Sequence, residues 1–415
     1  AGEPVVFKRG YGYRRMLGDE GEPVSSLRVT TRTNFRVASL TKPFTAAAAL
    51  ELADEGQLSL DDAVTKWLPG MPDYADDVTI RHLLTHKSGV ASYWRLMNNR
   101  APPFFNDLAM LRKVATAPKL DFPAGKVCVY SNTGYVLLGL VVQQASGQPF
   151  HTYLHDEVLR PLGMERSRVL VEGLNQIDER AYGHKPGPAP AANQRTRRAR
   201  EQQLKQFLAL RDRLIAQQAE TTAIDARIAL VEQQLAAAEA PRFAPGLDRR
   251  EIDPGAWHEE DQGPFSELRG DGTLYTSIDD LQQLVSALRE GTTMLSAQSL
   301  ASWLDPQTTP EKGSVDRRFG RRYTCGWMID ERLGERRYSH RGATRGFRQT
   351  FQWMPESGRA VAILMNSVPP GGEGPDSWDD ARIERLGEQV LQAVLSPTDG
   401  DSGLERLAEP TLLRD

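Results

Sequence analysis

Cysteine is nearly absent from this 415-residue sequence: it has only Cys128 and Cys325, too few for a disulfide framework. Two readings stay open for the pair, buried free thiols or a single bridge. A surplus of one charge is also lacking. With 51 Lys and Arg against 55 Asp and Glu, the net charge is -4. That gives no reason to expect nucleic acid or an anionic membrane surface as a partner. No apolar run approaches the roughly 18 residues that a spanning helix needs, so no transmembrane segment is expected. No signal peptide is visible either. The start at Ala1 is read as a processed or trimmed end, and a periplasmic or secreted location is the expectation.

What is present is an ordinary globular composition, 40% apolar and 26% charged, in a chain long enough for two lobes or one large domain with insertions. Val5 to Tyr13 reads as a strand. Phe44 to Leu52 carries a helix, with Pro43 suited to its first turn and Gly56 to its end. Ile80 to Leu84 and Asp107 to Ala115 read as shorter helical segments, and Tyr135 to Ser146 as a strong helix stopped by Gly147. Ser277 and Asp280 mark a further helix start. Tyr323 to Glu331, Phe347 to Trp353 and Ala360 to Asn366 read as strands, followed by a helix over Ile383 to Leu395. Strands near both ends with helices between predict an α+β fold: an antiparallel sheet flanked by helices, beside a mostly helical lobe.

One stretch interrupts this pattern. Residues 191–240 contain neither Gly nor Pro, and Leu204, Leu208, Leu214, Ile224, Ile228, Val231 and Leu235 recur there at helical spacing. A single helix of that length would reach about 75 Å, and a hairpin turning near Thr221-Thr222 fits equally. The stretch is an amphipathic insertion packed on the body, a coiled coil for self-association or a protein partner, or disordered. The expected division is a discontinuous body over 1–185 and 251–398, an insertion over 186–250 and a tail over 399–415.

Three short motifs bear the chemistry. In Ser39-Leu40-Thr41-Lys42 the lysine lies one helical turn from the serine. A serine hydroxyl is a weak nucleophile until a neighbour takes its proton, which an unprotonated lysine can do once its pKa is lowered by burial. In Tyr130-Ser131-Asn132 the phenol can relay protons, while the amide can bind a substrate carbonyl and orient Lys42. His340-Arg341-Gly342 falls between strand-like segments. His340 would offer a hydrogen-bond donor and a charge that follows pH. Gly342 would let substrate approach the strand edge, and the Ala343 N–H would complete an oxyanion hole with that of Ser39. Each motif alone is weak, and a helix cap, a buried tyrosine or a turn explains it as well. Their joint occurrence points to acyl transfer.

His82 and His86 stand four apart, a metal-ligand spacing, but Leu83-Leu84-Thr85 between them lacks a glutamate and no third ligand is evident. Neither metal nor cofactor is expected. Arg345 and Arg348 are candidates to receive a substrate carboxylate.

The motifs and their order resemble the serine β-lactamase and penicillin-binding-protein superfamily, in particular its branch of class C β-lactamases, DD-peptidases and esterases. Supporting stretches are FRVASLTKPF (35–44), RHLLTHKSG (81–89), YSNTGYVLLG (130–139), RPLGM (160–164) and GDGTLYTSIDDL (270–281). The resemblance implies Ser39 as the acylated nucleophile, Lys42 as its activator, Tyr130 as proton relay and Asn132 as the substrate-amide contact. His340 stands where the family's Lys-Thr-Gly motif has lysine, and Gly342 matches its glycine. It also implies that the histidine pair belongs to a family segment rather than to a metal site. Histidine in the third motif is typical of esterase-like and peptidase-like relatives. The expected function is a serine hydrolase acting on a small-molecule or peptide ester or amide, with β-lactam hydrolysis and a penicillin-binding sensor or scaffold as alternatives. Relatives also begin with a helix and strand ahead of Val5 that this sequence does not show, which leaves a sheet edge to be covered.

Overall fold

The computed structural model describes residues 7–16, 27–97, 105–186, 194–216, 221–237, 257–259, 261, 266–305, 321–367 and 380–395. The fold is α+β. Ten strands are described: β1 (Phe35–Arg36), β2 (Arg168–Val169), β3 (His184–Pro186), β4 (Trp257–Glu259), β5 (Leu274–Thr276), β6 (Arg322–Tyr323), β7 (Met328–Arg332), β8 (Glu335–Thr344), β9 (Phe347–Met354) and β10 (Arg359–Met365). The last five form one antiparallel sheet in the order β10-β9-β8-β7-β6. A smaller sheet has the order β1-β5-β2, and β3 pairs with β4.

The helices that matter for the site are α1 (Lys42–Asp54), α2 (Asn132–Ser146), the pair α3 (Gln194–Ala216) and α4 (Thr222–Ala237), α5 (Ile278–Glu290) and α6 (Asp380–Leu395). Every residue of α1 from Lys42 to Leu52 is buried, so this helix is a core element on all sides rather than a surface one. Its run Ala46 to Ala49 keeps it slim. Helix α2 starts at a side-chain cap, Ser131 accepting from the Gly134 N–H, and ends at Gly147 with φ +68°, a left-handed stop that glycine adopts without strain. The main core lies between these helices and one face of the large sheet, with Leu40, Phe44, Trp327 and Phe351 among its members.

On the sheet's other face α6 is fixed by apolar and ionic contacts. Leu391 packs with Met354 and Val361. Arg337, fully buried, reaches Asp330 at 2.7 Å, Glu388 at 2.7 Å and Glu384 at 3.2 Å, and Arg341 lies 3.4 Å from Glu384. Charges buried this deeply are tolerated only because each meets its opposite.

Two strand expectations need correction. Residues 7–16 form no strand, only an isolated bridge from Tyr13 to Arg28; Val5 and Val6 lie outside the described residues. Tyr323 to Glu331 is not one strand, because a turn at 324–327, with Gly326 at φ +104°, divides β6 from β7. Within the described residues α3 and α4 pair as a two-helix hairpin, one of the readings left open for residues 191–240, with Phe207, Ile224, Ile228 and Val231 as its own small core. It touches the body at Arg227, which packs over Gly173 and lies 3.7 Å from Glu267. Cys128 and Cys325 are buried free thiols. The tail over 399–415 falls outside the described residues. Among those residues β10 ends the large sheet, with no strand beyond it.

Candidate active site

The chain reaches Ser39 through a strained elbow. Ala38 has φ +46°, a left-handed backbone that costs a non-glycine residue about 1–3 kcal/mol. Three bonds hold it there. Val37 N–H donates to Leu274 O at 2.9 Å, Thr41 Oγ1 donates to Ala38 O at 2.7 Å, and Leu274 N–H donates to Thr41 Oγ1 at 3.2 Å. Beyond the elbow a single 3-10 turn, Ala38–Thr41, runs into α1. Ser39 is thereby half exposed while Lys42, one turn on, is wholly buried.

Lys42 Nζ lies 3.0 Å from Ser39 Oγ and donates to Asp271 O at 3.0 Å. The rings of Tyr130 and Tyr135 lie 5.0 and 5.8 Å from the same nitrogen. Burial lowers the lysine pKa to about 8, partly opposed by the negative charge of Asp271. A neutral amine at that distance can take the hydroxyl proton. Asn132 was expected to orient this amine. Instead its Oδ1 is buried with no hydrogen-bond partner, and the Asp271 carbonyl holds the lysine.

Tyr130 is brought into place by His86. That residue accepts from Ser131 N–H on Nδ1 at 3.1 Å, its carbonyl accepts from Val129 N–H at 2.9 Å, and its ring lies 4.5 Å from the Tyr130 ring. The short helix Ile80–Leu84 ends before His86, whose φ is +56°. His82 instead accepts from Thr79 N–H as part of the cap of that helix. The spacing of four therefore does not place the two rings on one helical face, because the helix has already stopped. Among the described residues no group of three or more His, Cys, Asp or Glu is placed to hold a metal ion.

The third motif lies inside β8, not in a turn between strands. Pairing with β7 stops at Met328 opposite Ser339, so the edge from His340 onward is free to pass the nucleophile elbow. A Cβ on Gly342 would sit 2.0 Å from Val37 O and 3.4 Å from the Ala38 Cβ. The glycine thus lets strand and elbow meet, which is a closer constraint than the room for substrate expected of it. Ala343, next along the strand, is exposed and stands opposite Arg348 in the ladder.

His340 also differs from expectation. Its Nδ1 is 2.7 Å from Arg341 O; a carbonyl only accepts, so Nδ1 carries the proton and Nε2 is left as an acceptor. Burial, with the charges of Lys42 and Arg341, lowers its pKa to about 3. The ring is neutral at ordinary pH. It lies 6.2 Å from the Tyr130 ring. Arg348 donates to the carbonyls of Phe347 and Arg345.

Ser39, Lys42, Tyr130 and His340 are thus gathered round one point, with Gly342 at the elbow behind them. Sequence reasoning weighed His86 only as a metal ligand, missing its place beside Tyr130, and passed over Tyr93 and Asp271. His86 and Asp271 sit in stretches quoted above for their order, yet no spacing rule links residues so far apart in the chain. Tyr93 gave no signal at all.

The family model described as Beta-lactamase matches residues 2–385. The chain is 34% identical over 190 residues to penicillin-binding protein 4* of Bacillus subtilis, covering 44% of this chain and 40% of that one. It is 39% identical over 175 residues to esterase EstB of Burkholderia gladioli, covering 37% and 42%. The chain therefore spans less than half the length of these two curated relatives. Its fold is that of the penicillin-binding protein from Bacillus halodurans, at a TM-score of 0.61 and 23% identity over 93% of both chains. With nearly its whole length matched, the chain belongs to the Beta-lactamase family.

Proposed function

We propose that the protein is a serine hydrolase that works through a covalent acyl-enzyme on an ester or amide, in the manner of an esterase or a D-amino-acid peptidase. The observation that carries this reading is the 3.0 Å approach of a buried, pKa-depressed Lys42 amine to Ser39 Oγ. Ser39 Oγ attacks the carbonyl carbon as its proton passes to Lys42 Nζ. The N–H groups of Ser39 and Ala343 receive the oxyanion. The leaving group departs with a proton relayed through Tyr130, and Asn132 holds the acyl part. Water then attacks the ester on Ser39, the proton path runs in reverse, and the acid is released.

His340 decides between substrate classes. A neutral imidazole offers no cation to a carboxylate, so substrates without a free carboxylate next to the scissile bond are favoured. The likeness to an esterase supports the same choice. β-Lactam hydrolysis is the second reading, supported by the family match. We further assign the hairpin to an insertion within a discontinuous body. Leu210 and Ile215 are exposed on it, as an apolar contact for a second copy or a protein partner requires. We also propose a periplasmic or secreted location; among the described residues no helix is long and apolar enough to cross a membrane.

The test is intact-mass measurement after incubation with a fluorophosphonate and, separately, a penicillin. Wild type is expected to gain one fluorophosphonate adduct and Ser39→Ala none. Turnover by Ser39→Ala at the wild-type rate would refute the mechanism.

A further inference from the structure

Asp271 is a buried carboxylate that the acyl-transfer reaction as written does not use: only its carbonyl takes part, as an acceptor from Lys42. The carboxylate nonetheless stands at the head of a directed chain. Tyr93 OH donates to Asp271 Oδ2 at 3.5 Å, and Asn132 Nδ2 donates to Tyr93 OH at 3.5 Å. Both are long bonds, so direction carries more meaning here than strength. An ionised carboxylate only accepts, which commits the single Tyr93 hydroxyl hydrogen to Asp271. The Tyr93 oxygen must then accept from its other neighbour, and only the NH2 end of the Asn132 amide can donate. Asn132 Oδ1 is accordingly buried without a partner, and the second N–H remains for substrate at this half-exposed residue.

We propose that Asp271, acting through Tyr93, is a positioning residue that locks the Asn132 amide with its nitrogen against the Tyr93 hydroxyl and its second N–H available to substrate, so that the site selects substrates carrying a carbonyl acceptor beside the scissile bond. The inference rests on the acyl-enzyme reading above. Without an acceptor at 271, the Tyr93 hydroxyl can donate to Asn132 Oδ1 instead. The amide then turns over and presents an acceptor to a substrate carbonyl, which repels it. Burial raises the Asp271 pKa to about 6, against the pull of Lys42 and Arg36, so the lock is set at pH 8.

The experiment compares kcat/KM at pH 8 for two esters, 4-nitrophenyl N-acetylglycinate, which has the amide carbonyl, and 4-nitrophenyl acetate, which lacks it. Ser39→Ala is the control for the function itself: if it keeps wild-type turnover, the acyl-enzyme reading fails and this one with it. With Ser39 required, Tyr93→Phe and Asp271→Leu are each expected to lower the ratio of the first ester to the second about tenfold, the size of one lost polar contact. Asn132→Ala gives the same loss, and adding Tyr93→Phe to it gives no more. Thermal unfolding checks that each variant is folded, and Tyr93→Phe decides if Asp271→Leu is not. A ratio within twofold of wild type in a folded Tyr93→Phe or Asp271→Leu variant overturns the proposal while leaving the acyl-enzyme reading intact. A fall for both esters in equal proportion overturns it too, since general damage to the site does not distinguish them.

Discussion

In the proposed mechanism Lys42 acts through its neutral form, whose fraction rises with pH through a pKa of about 8. The expected profile of kcat/KM therefore climbs about tenfold per pH unit below that value and levels above it. Stopped-flow acylation between pH 5 and 10 measures this, and a flat profile from pH 6 to 9 would remove lysine as the base. His340, held neutral with a pKa lowered to about 3, adds no second step over that range. His340→Lys is expected to place a cation at the same spot and to improve hydrolysis of esters with a free carboxylate relative to uncharged ones, read from paired kcat/KM values. Ser39, Lys42 and Tyr130 were legible in the sequence because each lies in a short motif with a chemical reason for its spacing. The protonation and direction of His340 were not, since they depend on the Arg341 carbonyl that the strand happens to present. Tyr93 and Asp271 were hidden for a related reason: hydrogen-bond direction is a property of the folded assembly.

Among the elements, α1 and β8 do most to position the site. Their meeting depends on Gly342, where any side chain would overlap the Val37 carbonyl. Gly342→Ala is expected to cost about 1–3 kcal/mol by overpacking and to push the strand from the elbow. Differential scanning calorimetry should show a lower Tm, and fluorophosphonate labelling of Ser39 should slow more than the lost stability accounts for. Helix α1 carries a second test. Glu51 is buried, accepts from Tyr153 OH at 2.7 Å, and burial raises its pKa from 4.5 to about 7. A carboxyl with a raised folded-state pKa holds its proton more firmly in the folded chain, so its contribution falls as pH rises from about 4.5 to 7. Glu51→Gln is expected to raise Tm by about 2–4 °C at pH 8 and not at pH 4; an equal gain at both would refute the assignment. The helices α1 and α2 were readable because caps, glycines and apolar runs are local signals. The break between β6 and β7 was not, for apolar residues continue through the turn.

At the scale of the whole molecule, the α3–α4 hairpin has a small core of its own and reaches the body at Arg227. Ile228→Asp puts a charge in that core and is expected to open residues 194–237 to limited proteolysis, while Ser39 labelling stays within about twofold of wild type. Loss of labelling together with the hairpin would show that the hairpin supports the site. Its helical character was plain from an unbroken Gly-free, Pro-free stretch, whereas hairpin or single rod was undecidable, because both bury the same stripe.

The ionic seat of α6 ties the site to a distant part of the chain. Glu384 and Glu388 neutralise Arg337 and Arg341 on β8, the strand that also carries His340. Asp330 on β7 pairs with Arg337 as well, so the helix supplies part, not all, of the counter-charge on that face. The strand that meets the Ser39 elbow thus draws some of its ionic support from a helix that starts only at Asp380.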